Sequence, residues 1–326
     1  PATMRLCILG GTGFVGRVLS ARLVAAGHDV LVPTSHYERH RDLTVLPTLK
    51  LIEGDVHDLE FLLHCCEAKD AVINLVGILN EKGRSGRGFA DRNEARAARQ
   101  GRRGSGFARA HAELPEKLVA ACRAARVRRL LHMSALNASL QAPSHYLRTK
   151  AMGEDTVHRA AADGLHVTSF RPSVIFGPRD SFINRFAGLL RLAPGVFPLA
   201  CPDAKFQPVY VEDVVSAYVH ALHDTKTHGQ RYDLCGPKVY TLREIVSYIA
   251  SVMGKHVYIV GLNRTLSQLQ AAFMEFAPGK PFSLDNFRSL QVDSVCASRA
   301  FPEVFDIAPT PIGQVVPSYL QQKQNI

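Results

Sequence analysis

The chain has 326 residues, of which 46% are hydrophobic and 21% charged, and its formal net charge is +10. This composition is typical of a globular protein with a substantial core, and it excludes disordered and collagen-like chains. No apolar run reaches the roughly 18 residues that span a bilayer, and no secretory signal is seen, so we expect a protein of the cytoplasm or an organelle matrix.

The seven cysteines form no C-x-x-C pair and are odd in number, so neither a disulfide framework nor a zinc ribbon is expected. Most of them are expected to be small core residues. His36 and His40 have a helical spacing, but no acidic or cysteine cluster accompanies them. We therefore predict no metal site.

A glycine-rich turn opens the chain. Gly10, Gly13 and Gly16 follow an apolar run at 4–9 that suits a strand, and they precede a helical pattern from Arg17. Such a turn lets the backbone approach a pyrophosphate at the positive end of a helix. The alternative is an ordinary turn with a close helix–strand contact. The dinucleotide-binding interpretation assigns contacts to Gly10, Thr12, Gly13, Phe14, Val15 and Gly16.

Further apolar runs predict strands at 29–33, 49–53, 71–77 and 128–135, with helical patterns between them. A nearly all-apolar run such as 71–77 is typical of a strand covered on both faces. We therefore predict an α/β fold: a Rossmann-type doubly wound parallel sheet with a smaller C-terminal α/β substrate lobe. The expected domains are 1–175, which binds the dinucleotide, and 176–326, interleaved with the first.

The residues after the second predicted strand bear on cofactor choice. An acidic residue about 20 positions beyond the glycines usually binds the adenosine ribose and selects NAD. Here positions 34–37 read Thr-Ser-His-Tyr, and Arg39 and Arg41 follow. A guanidinium can bind a 2′-phosphate through two charge-assisted hydrogen bonds. We therefore favour NADP(H) over NAD(H), with His36, Arg39 and Arg41 as contacts; alternatively, the arginines only solvate a loop.

Other cofactor contacts are expected at strand ends. Asp55 and Val56 follow the third predicted strand, where they would meet the adenine, although an acid there is also a common helix cap. Asn74 lies where the fourth strand would face the cofactor, Gly77 permits close approach there, and Val76 lies between them. These residues complete the contacts expected at the strand ends of the N-terminal lobe.

Ser134 ends the fifth predicted strand, and Tyr146 and Lys150 follow with the spacing of one helical turn. A lysine ammonium near a phenol lowers the phenol pKa from about 10 toward working pH. Tyr146 would then exchange a proton with a substrate hydroxyl or carbonyl while a hydride passes to or from nicotinamide. Ser134 would bond the same oxygen. The alternative is an exposed tyrosine stacked over a lysine stem.

The segment 81–106 is glycine-rich and strongly basic, which predicts a flexible surface insertion. Such a segment could bind phosphate groups of a nucleic acid or an anionic surface. It offers few aromatic residues for base stacking, so nucleic-acid binding is not favoured.

Together these motifs resemble those of an extended short-chain dehydrogenase/reductase, in the NAD(P)-dependent epimerase/dehydratase superfamily. The segment 171–178 is similar to the one that lines the family's nicotinamide pocket, which implies contacts by Pro172 and Val174. The segment 208–214 is similar to the motif where the substrate lobe's helix begins, with Asp213 as the expected N-cap.

The segments 74–80, 132–135, 144–150 and 278–283 resemble bacterial relatives of the nucleotide-binding accessory subunit of respiratory complex I, which are atypical members of the superfamily. This resemblance implies tightly held NADP(H) in a structural role, association with complex I, and a location at the inner membrane through that partner. Ser35 stands where NADP-binding members often carry arginine, and His111 replaces a relay asparagine. The first departure means that Arg39 or Arg41 would have to replace that arginine. The second weakens a catalytic interpretation without excluding it, because Ser134, Tyr146 and Lys150 are all present.

Three functions follow from the sequence. The first is an oxidoreductase or epimerase/dehydratase that acts through Ser134, Tyr146 and Lys150 on an unidentified small molecule. The second is a non-catalytic, nucleotide-stabilised structural or assembly subunit of NADH:quinone oxidoreductase. The third is a module that binds nucleic acid or an anionic surface through 81–106.

Overall fold

The computed structural model describes residues 2–79, 106–277 and 282–321. The predictions for the basic insertion therefore lie outside the described residues, except at Gly106. Most of the segment 278–283 lies outside them as well.

Seven parallel strands form the main sheet, which confirms the predicted fold class. The order reverses between the first and fourth strands, where ligands bind in doubly wound folds. In sheet order the strands are β3 (Leu49–Glu53), β2 (Asp29–Thr34), β1 (Arg5–Leu9), β4 (Ala71–Asn74), β5 (Arg129–Met133), β6 (His166–Pro172) and β11 (Arg231–Leu234).

Helices cover both faces of this sheet. Successive side chains of a strand point to opposite faces, so each strand contributes apolar side chains to the core on both sides. In β1, Leu6 and Ile8 pack into the core on one face, whereas Cys7 and Leu9 pack into the core on the other. The first face carries α1 (Phe14–Ala25), α6 (Val211–His223) and α10 (Ala300–Val304). The second carries α2 (Leu59–Cys66), α3 (Leu114–Ala124) and α4 (His145–Arg159).

The smaller lobe has a third core, in which apolar side chains of several helices and short strands meet. Its helices are α5 (Ile183–Leu192), α7 (Leu242–Val252), α8 (Arg264–Met274), α9 (Leu284–Ser289) and α11 (Ile312–Leu320). Its strand pairs are β7 (Ile175–Phe176) with β10 (Val209–Tyr210), β8 (Val196–Leu199) with β13 (Tyr258–Gly261), and antiparallel β9 (Lys205–Phe206) with β12 (Tyr240–Thr241). From the second half of the chain, β11 joins the main sheet and α6 packs on it.

The described residues also contain helical turns: Gly106–Ala108 and the π-helical Arg109–Glu113 lead into α3, and 3-10 turns occupy Glu38–Val45, Ala160–Asp163 and Thr225–Thr227. Over the described ranges, none of the helices is both long enough and apolar enough to cross a bilayer.

Asp213 is not the N-cap of α6, so that prediction is wrong. Tyr210 occupies the cap position, and Asp213 lies in the first turn. The Asp213 carboxylate accepts hydrogen bonds from the Thr310 backbone N (2.7 Å) and Oγ1 (3.1 Å). The acid anchors a distant C-terminal segment, which local sequence cannot reveal.

One pair of cysteines departs from the expected free thiols. Cys235 and Cys296 form a disulfide across 61 residues, joining the end of β11 to the segment before α10. The odd number of cysteines gave no indication of this pair. Cys7, Cys65, Cys66 and Cys122 are free and buried, as expected. Cys201 is free and half-buried.

Reduction of this disulfide, or Cys296→Ser, is expected to lower the free energy of unfolding by about 2–4 kcal/mol, because the cross-link restricts the unfolded chain. Denaturant titration with and without reductant measures the change. Cys201→Ser is the control and should respond to reductant as the wild type does. An identical wild-type midpoint in both buffers would contradict the prediction.

Candidate functional site

The turn between β1 and α1 is closed by backbone contacts that exclude side chains. Gly10 has φ +77°, and a Cβ there would lie 3.0 Å from the carbonyl carbon of Leu75. A Cβ on Gly16 would lie 2.2 Å from the Gly10 oxygen. Gly13, the N-cap of α1, has no side chain to bond the first-turn N–H groups. The turn therefore presents a bare backbone and a helix N-terminus, the arrangement that binds a pyrophosphate.

Arg17, which no sequence motif assigned to the site, joins this turn to the 3-10 turn Glu38–Val45 that follows β2. Its Nε donates to the Thr12 oxygen (3.0 Å), and its Nη1 lies 2.5 Å from Asp42 Oδ2. Its Nη2 lies 3.1 Å from His40 Nδ1. The bond from Arg17 holds the pKa of Asp42 below its usual range. The available signal was an arginine directly after the third glycine.

The other residues predicted near the adenosine lie around the ends of β2 and β3. His36, Arg39 and Arg41 are exposed, and Arg41 Nη1 is 4.0 Å from Glu38 Oε2. Asp55 accepts hydrogen bonds from the His57 N–H (2.9 Å) and from Arg109 (3.1 Å), and Val56 packs against the core. Their contacts with a cofactor stay predictions.

Asn74 and Gly77 shape the backbone after β4. The buried Asn74 side chain accepts a hydrogen bond from the Val76 N–H (3.1 Å) and so fixes the turn. A Cβ on Gly77 would lie 3.1 Å from Lys150 Nζ. Gly77 therefore leaves room for the lysine.

Ser134, Tyr146 and Lys150 line one cavity with Gly10, Gly13, Phe14, Val15, Gly16, Gly77, Pro172 and Val174. Ser134 is buried, and its Oγ has no hydrogen-bond partner among the described residues. Lys150 is also buried, and its ammonium donates to the carbonyl oxygens of Met133 (3.1 Å) and Val76 (3.5 Å). The fold brings the predicted catalytic residues together beside the glycine turn.

The pKa of Tyr146 differs from the sequence-based expectation. Burial raises the pKa of Tyr146 to about 12, whereas we expected the lysine to lower it. The expectation fails because burial of the phenol dominates its pKa. Burial also lowers the pKa of Lys150 to about 8. At neutral pH the tyrosine is therefore protonated and the lysine is mainly charged.

His111 forms a wall beside Tyr146, with 5.4 Å between the ring centroids. It lies in the π-helical turn before α3, and its Nε2 accepts a hydrogen bond from the Ile78 N–H (3.0 Å). Its Nδ1 therefore carries the proton and faces Thr149 Oγ1 at 3.1 Å. Burial lowers the pKa of His111 to about 2. A neutral ring with both nitrogens engaged does not relay protons.

Asp285 is a second residue that the sequence analysis missed. It is buried on α9, and its carboxylate accepts hydrogen bonds from the backbone N–H groups of His145 (2.7 Å) and Tyr146 (3.1 Å). A carboxylate is favoured at this N-terminal end of α4 by the helix dipole. A residue 139 positions away in sequence thus fixes the backbone of Tyr146.

Asp285→Ala is expected to lower the free energy of unfolding by about 1–3 kcal/mol, since two buried donors lose their acceptor. Asp285→Asn keeps one acceptor oxygen and should lose less. Thermal unfolding of both variants measures this, with Asp203→Ala at an exposed position as the control. Equal melting temperatures for Asp285→Ala and the control would show that the contact is dispensable.

A model of the NAD dependent epimerase/dehydratase family matches residues 6–235. The chain belongs to this family. Over 247 residues it is 32% identical to the mitochondrial NADH dehydrogenase [ubiquinone] 1 alpha subcomplex subunit 9 of Mus musculus, a match that covers 74% of this chain. The same match spans 59% of the mouse protein's length, less than two thirds.

The Arabidopsis thaliana protein of the same name is 28% identical over 312 residues, which cover 90% of this chain and 71% of that protein. Both relatives are named as subunits of NADH dehydrogenase, which confirms the predicted resemblance. A solved dTDP-glucose 4,6-dehydratase from Streptomyces venezuelae, with NAD bound, superposes with a TM-score of 0.71 at 18% identity. It covers 99% of this chain and 97% of its own, and at that identity it supports the fold alone.

Proposed function

We propose that the chain binds NADP(H) at the glycine turn and transfers a hydride between it and a carbonyl or hydroxyl carbon of a small molecule. The observation that carries this proposal is the Ser134 hydroxyl, which is buried without a partner among the described residues. A buried unpaired hydroxyl is costly and calls for an explanation. Its position in one cavity with Tyr146 and Lys150 supplies one, since a substrate oxygen there would complete its bonding.

The residues of the turn fit a dinucleotide. Gly10 and Gly16 leave a cradle that a Cβ would fill, and the first-turn N–H groups of α1 have no side-chain cap. The segment after β2 lacks an acid at positions 34–37 and carries Arg39 and Arg41, and Arg17 contacts it at His40 and Asp42. These features support NADP(H) over NAD(H). The nicotinamide of such a cofactor supplies or accepts the hydride.

Tyr146 would act as the proton donor in the reducing direction, because its pKa of about 12 keeps the hydroxyl protonated at neutral pH. Ser134 would donate a hydrogen bond to the same substrate oxygen and stabilise the charge that develops there. Lys150, held by the carbonyl oxygens of Met133 at the end of β5 and of Val76 just after β4, would keep a positive charge in the cavity that favours the phenolate left on Tyr146.

The second candidate is a non-catalytic, nucleotide-stabilised subunit of NADH:quinone oxidoreductase, peripheral to the inner membrane through that partner. The relatives of this chain that are named as NADH dehydrogenase subunits favour this second candidate. So do the raised pKa of Tyr146 and the fully bonded His111. No observation on the described residues favours the nucleic-acid or anionic-surface module.

Freshly purified protein is expected to retain NADP(H), and added NADPH should raise the melting temperature more than NADH does. Native mass spectrometry identifies the retained dinucleotide, and a thermal shift assay compares the two cofactors. Three single variants locate the 2′-phosphate: Arg17→Ala, Arg39→Ala and Arg41→Ala. The variant that lacks the arginine bound to this phosphate should lose the preference for NADPH. The proposal is wrong if neither dinucleotide is retained and neither raises the melting temperature.

A further inference from the structure

We infer that the part of the cavity formed by the smaller lobe binds a hydrocarbon tail, alkyl or isoprenoid, of a ligand whose carbonyl or hydroxyl group lies at Ser134 and Tyr146. The inference rests on the proposed function for the position of the polar group. It goes further in assigning the class of substrate.

The cavity is large, and the part formed by the smaller lobe is lined mainly by apolar side chains. Its volume is about 730 Å³, within the usual range for small-molecule sites. The part beyond Ser134, here called the tail arm, is formed by α5, β8, α8 and the segment that begins at Phe282. Its apolar lining includes Phe182, Phe186, Leu189, Phe197, Met274 and Leu290.

Few of the described residues that line this cavity are charged. Lys150 and Arg185 are the only charged residues among the described residues that line it, and Lys150 belongs to the proposed catalytic group. Burial lowers the pKa of the Arg185 guanidinium. A nucleoside diphosphate carries at least two negative charges, which are costly to bury unless each is paired and hydrogen-bonded. Within the part of the lining that the structure describes, one half-buried guanidinium does not meet that requirement.

Outside the proposed catalytic group, most polar side chains among the described residues that line the cavity already form a hydrogen bond within the protein. A sugar would therefore bury hydroxyl groups with few partners, whereas a hydrocarbon needs none. The bonds are Gln270 Nε2 to the Pro198 oxygen (3.2 Å), Asn286 Oδ1 from the Ser283 N–H (3.1 Å), Asn137 Nδ2 to the Asp293 oxygen (2.8 Å), and Ser173 Oγ to Ser294 Oγ (2.9 Å).

The apolar lining continues to the surface. Leu192 and Val196 line the cavity and are 83% and 53% exposed, respectively. Exposed apolar residues in the lining of a cavity are consistent with an apolar ligand-binding groove. The cavity that contains the Ser134 hydroxyl therefore also has exposed apolar side chains in its lining, which suits an elongated ligand with its polar group at Ser134.

Isothermal titration calorimetry with 2-hexanone, 2-octanone and 2-decanone, each with saturating NADP⁺ and again without dinucleotide, tests the inference. Each added methylene should tighten binding about fourfold while the tail arm has room, as expected from burial of about 0.8 kcal/mol per methylene. UDP-glucose is the contrasting probe and should bind far more weakly than 2-decanone.

Leu189→Glu places a carboxylate in the tail arm and should weaken 2-decanone binding at least tenfold. Leu269→Glu is the matched control, since Leu269 is exposed on α8 and outside the cavity lining. Both variants should retain wild-type NADP⁺ affinity, which shows that they are folded. Tail-length dependence that disappears in Leu189→Glu and persists in Leu269→Glu supports the inference.

Equal affinity for the three ketones, or tighter binding of UDP-glucose, would overturn the inferred substrate class. If NADP⁺ still binds in that case, the proposed function is unaffected. Equal losses in the two variants would likewise overturn the assignment to the tail arm. Failure to bind NADP⁺ would count against the proposed function alone, because the titrations without dinucleotide still report on the tail arm.

Discussion

Gly16→Ala is expected to weaken NADP(H) binding at least 100-fold, a loss of about 2.7 kcal/mol. The new Cβ would lie 2.2 Å from the Gly10 oxygen and 2.5 Å from the Gly11 Cα, closer than real Cβ contacts. Both neighbours are backbone atoms, so no side-chain rotation relieves the clash. The start of α1 must move away from β1, and the first-turn N–H groups lose their common direction toward a pyrophosphate.

Calorimetric titration with NADPH measures this loss, and circular dichroism checks that the variant is folded. Gly188→Ala is the matched control, because it also lies in a helix but a Cβ there meets nothing within 4 Å. The control should bind NADPH normally and gain up to about 1 kcal/mol of stability, since alanine favours helices over glycine. Wild-type NADPH affinity in a folded Gly16→Ala protein would remove the glycine turn from the cofactor site.

The sequence was informative wherever one local pattern determines one element. The apolar run 71–77 predicted a strand covered on both faces, and β4 is buried at all four of its positions. The spacing of Tyr146 and Lys150 predicted a shared helical face, and both residues line the same cavity. Periodicity and spacing are patterns over a few residues, so they can be interpreted without knowledge of the tertiary fold.

Tertiary partners could not be predicted in this way. Asp285 reaches the backbone of Tyr146 from 139 residues away, and Cys296 reaches Cys235 across 61 residues. Neither pairing has a local signature. The pKa of Tyr146 was misjudged for a related reason, because burial depends on elements that pack around the ring, including Phe107. Side-chain chemistry is thus predictable from residue type, whereas its surroundings require the fold.

Tyr146→Phe is expected to lower reduction of a ketone by NADPH about 10²–10⁴-fold, the usual contribution of a general acid, and to leave NADPH affinity unchanged. The variant loses only the hydroxyl, so the ring contacts with His111 and Phe107 persist. Tyr248→Phe is the matched control, because this half-buried tyrosine of α7 lies outside the cavity lining and should leave turnover unchanged. Steady-state kinetics with 2-decanone gives the comparison.

The pH profile separates a proton donor from a residue that only packs. Tyr146 stays protonated up to its pKa of about 12, so it does not limit reduction at neutral pH. Lys150 loses its charge as the pH rises through its pKa of about 8, so wild-type reduction should fall above that pH. A wild-type protein that binds NADPH but turns over no ketone would favour the structural subunit. Equal rates for Tyr146→Phe and the wild type would exclude Tyr146 as the acid, since both proteins keep the lysine and the cofactor site.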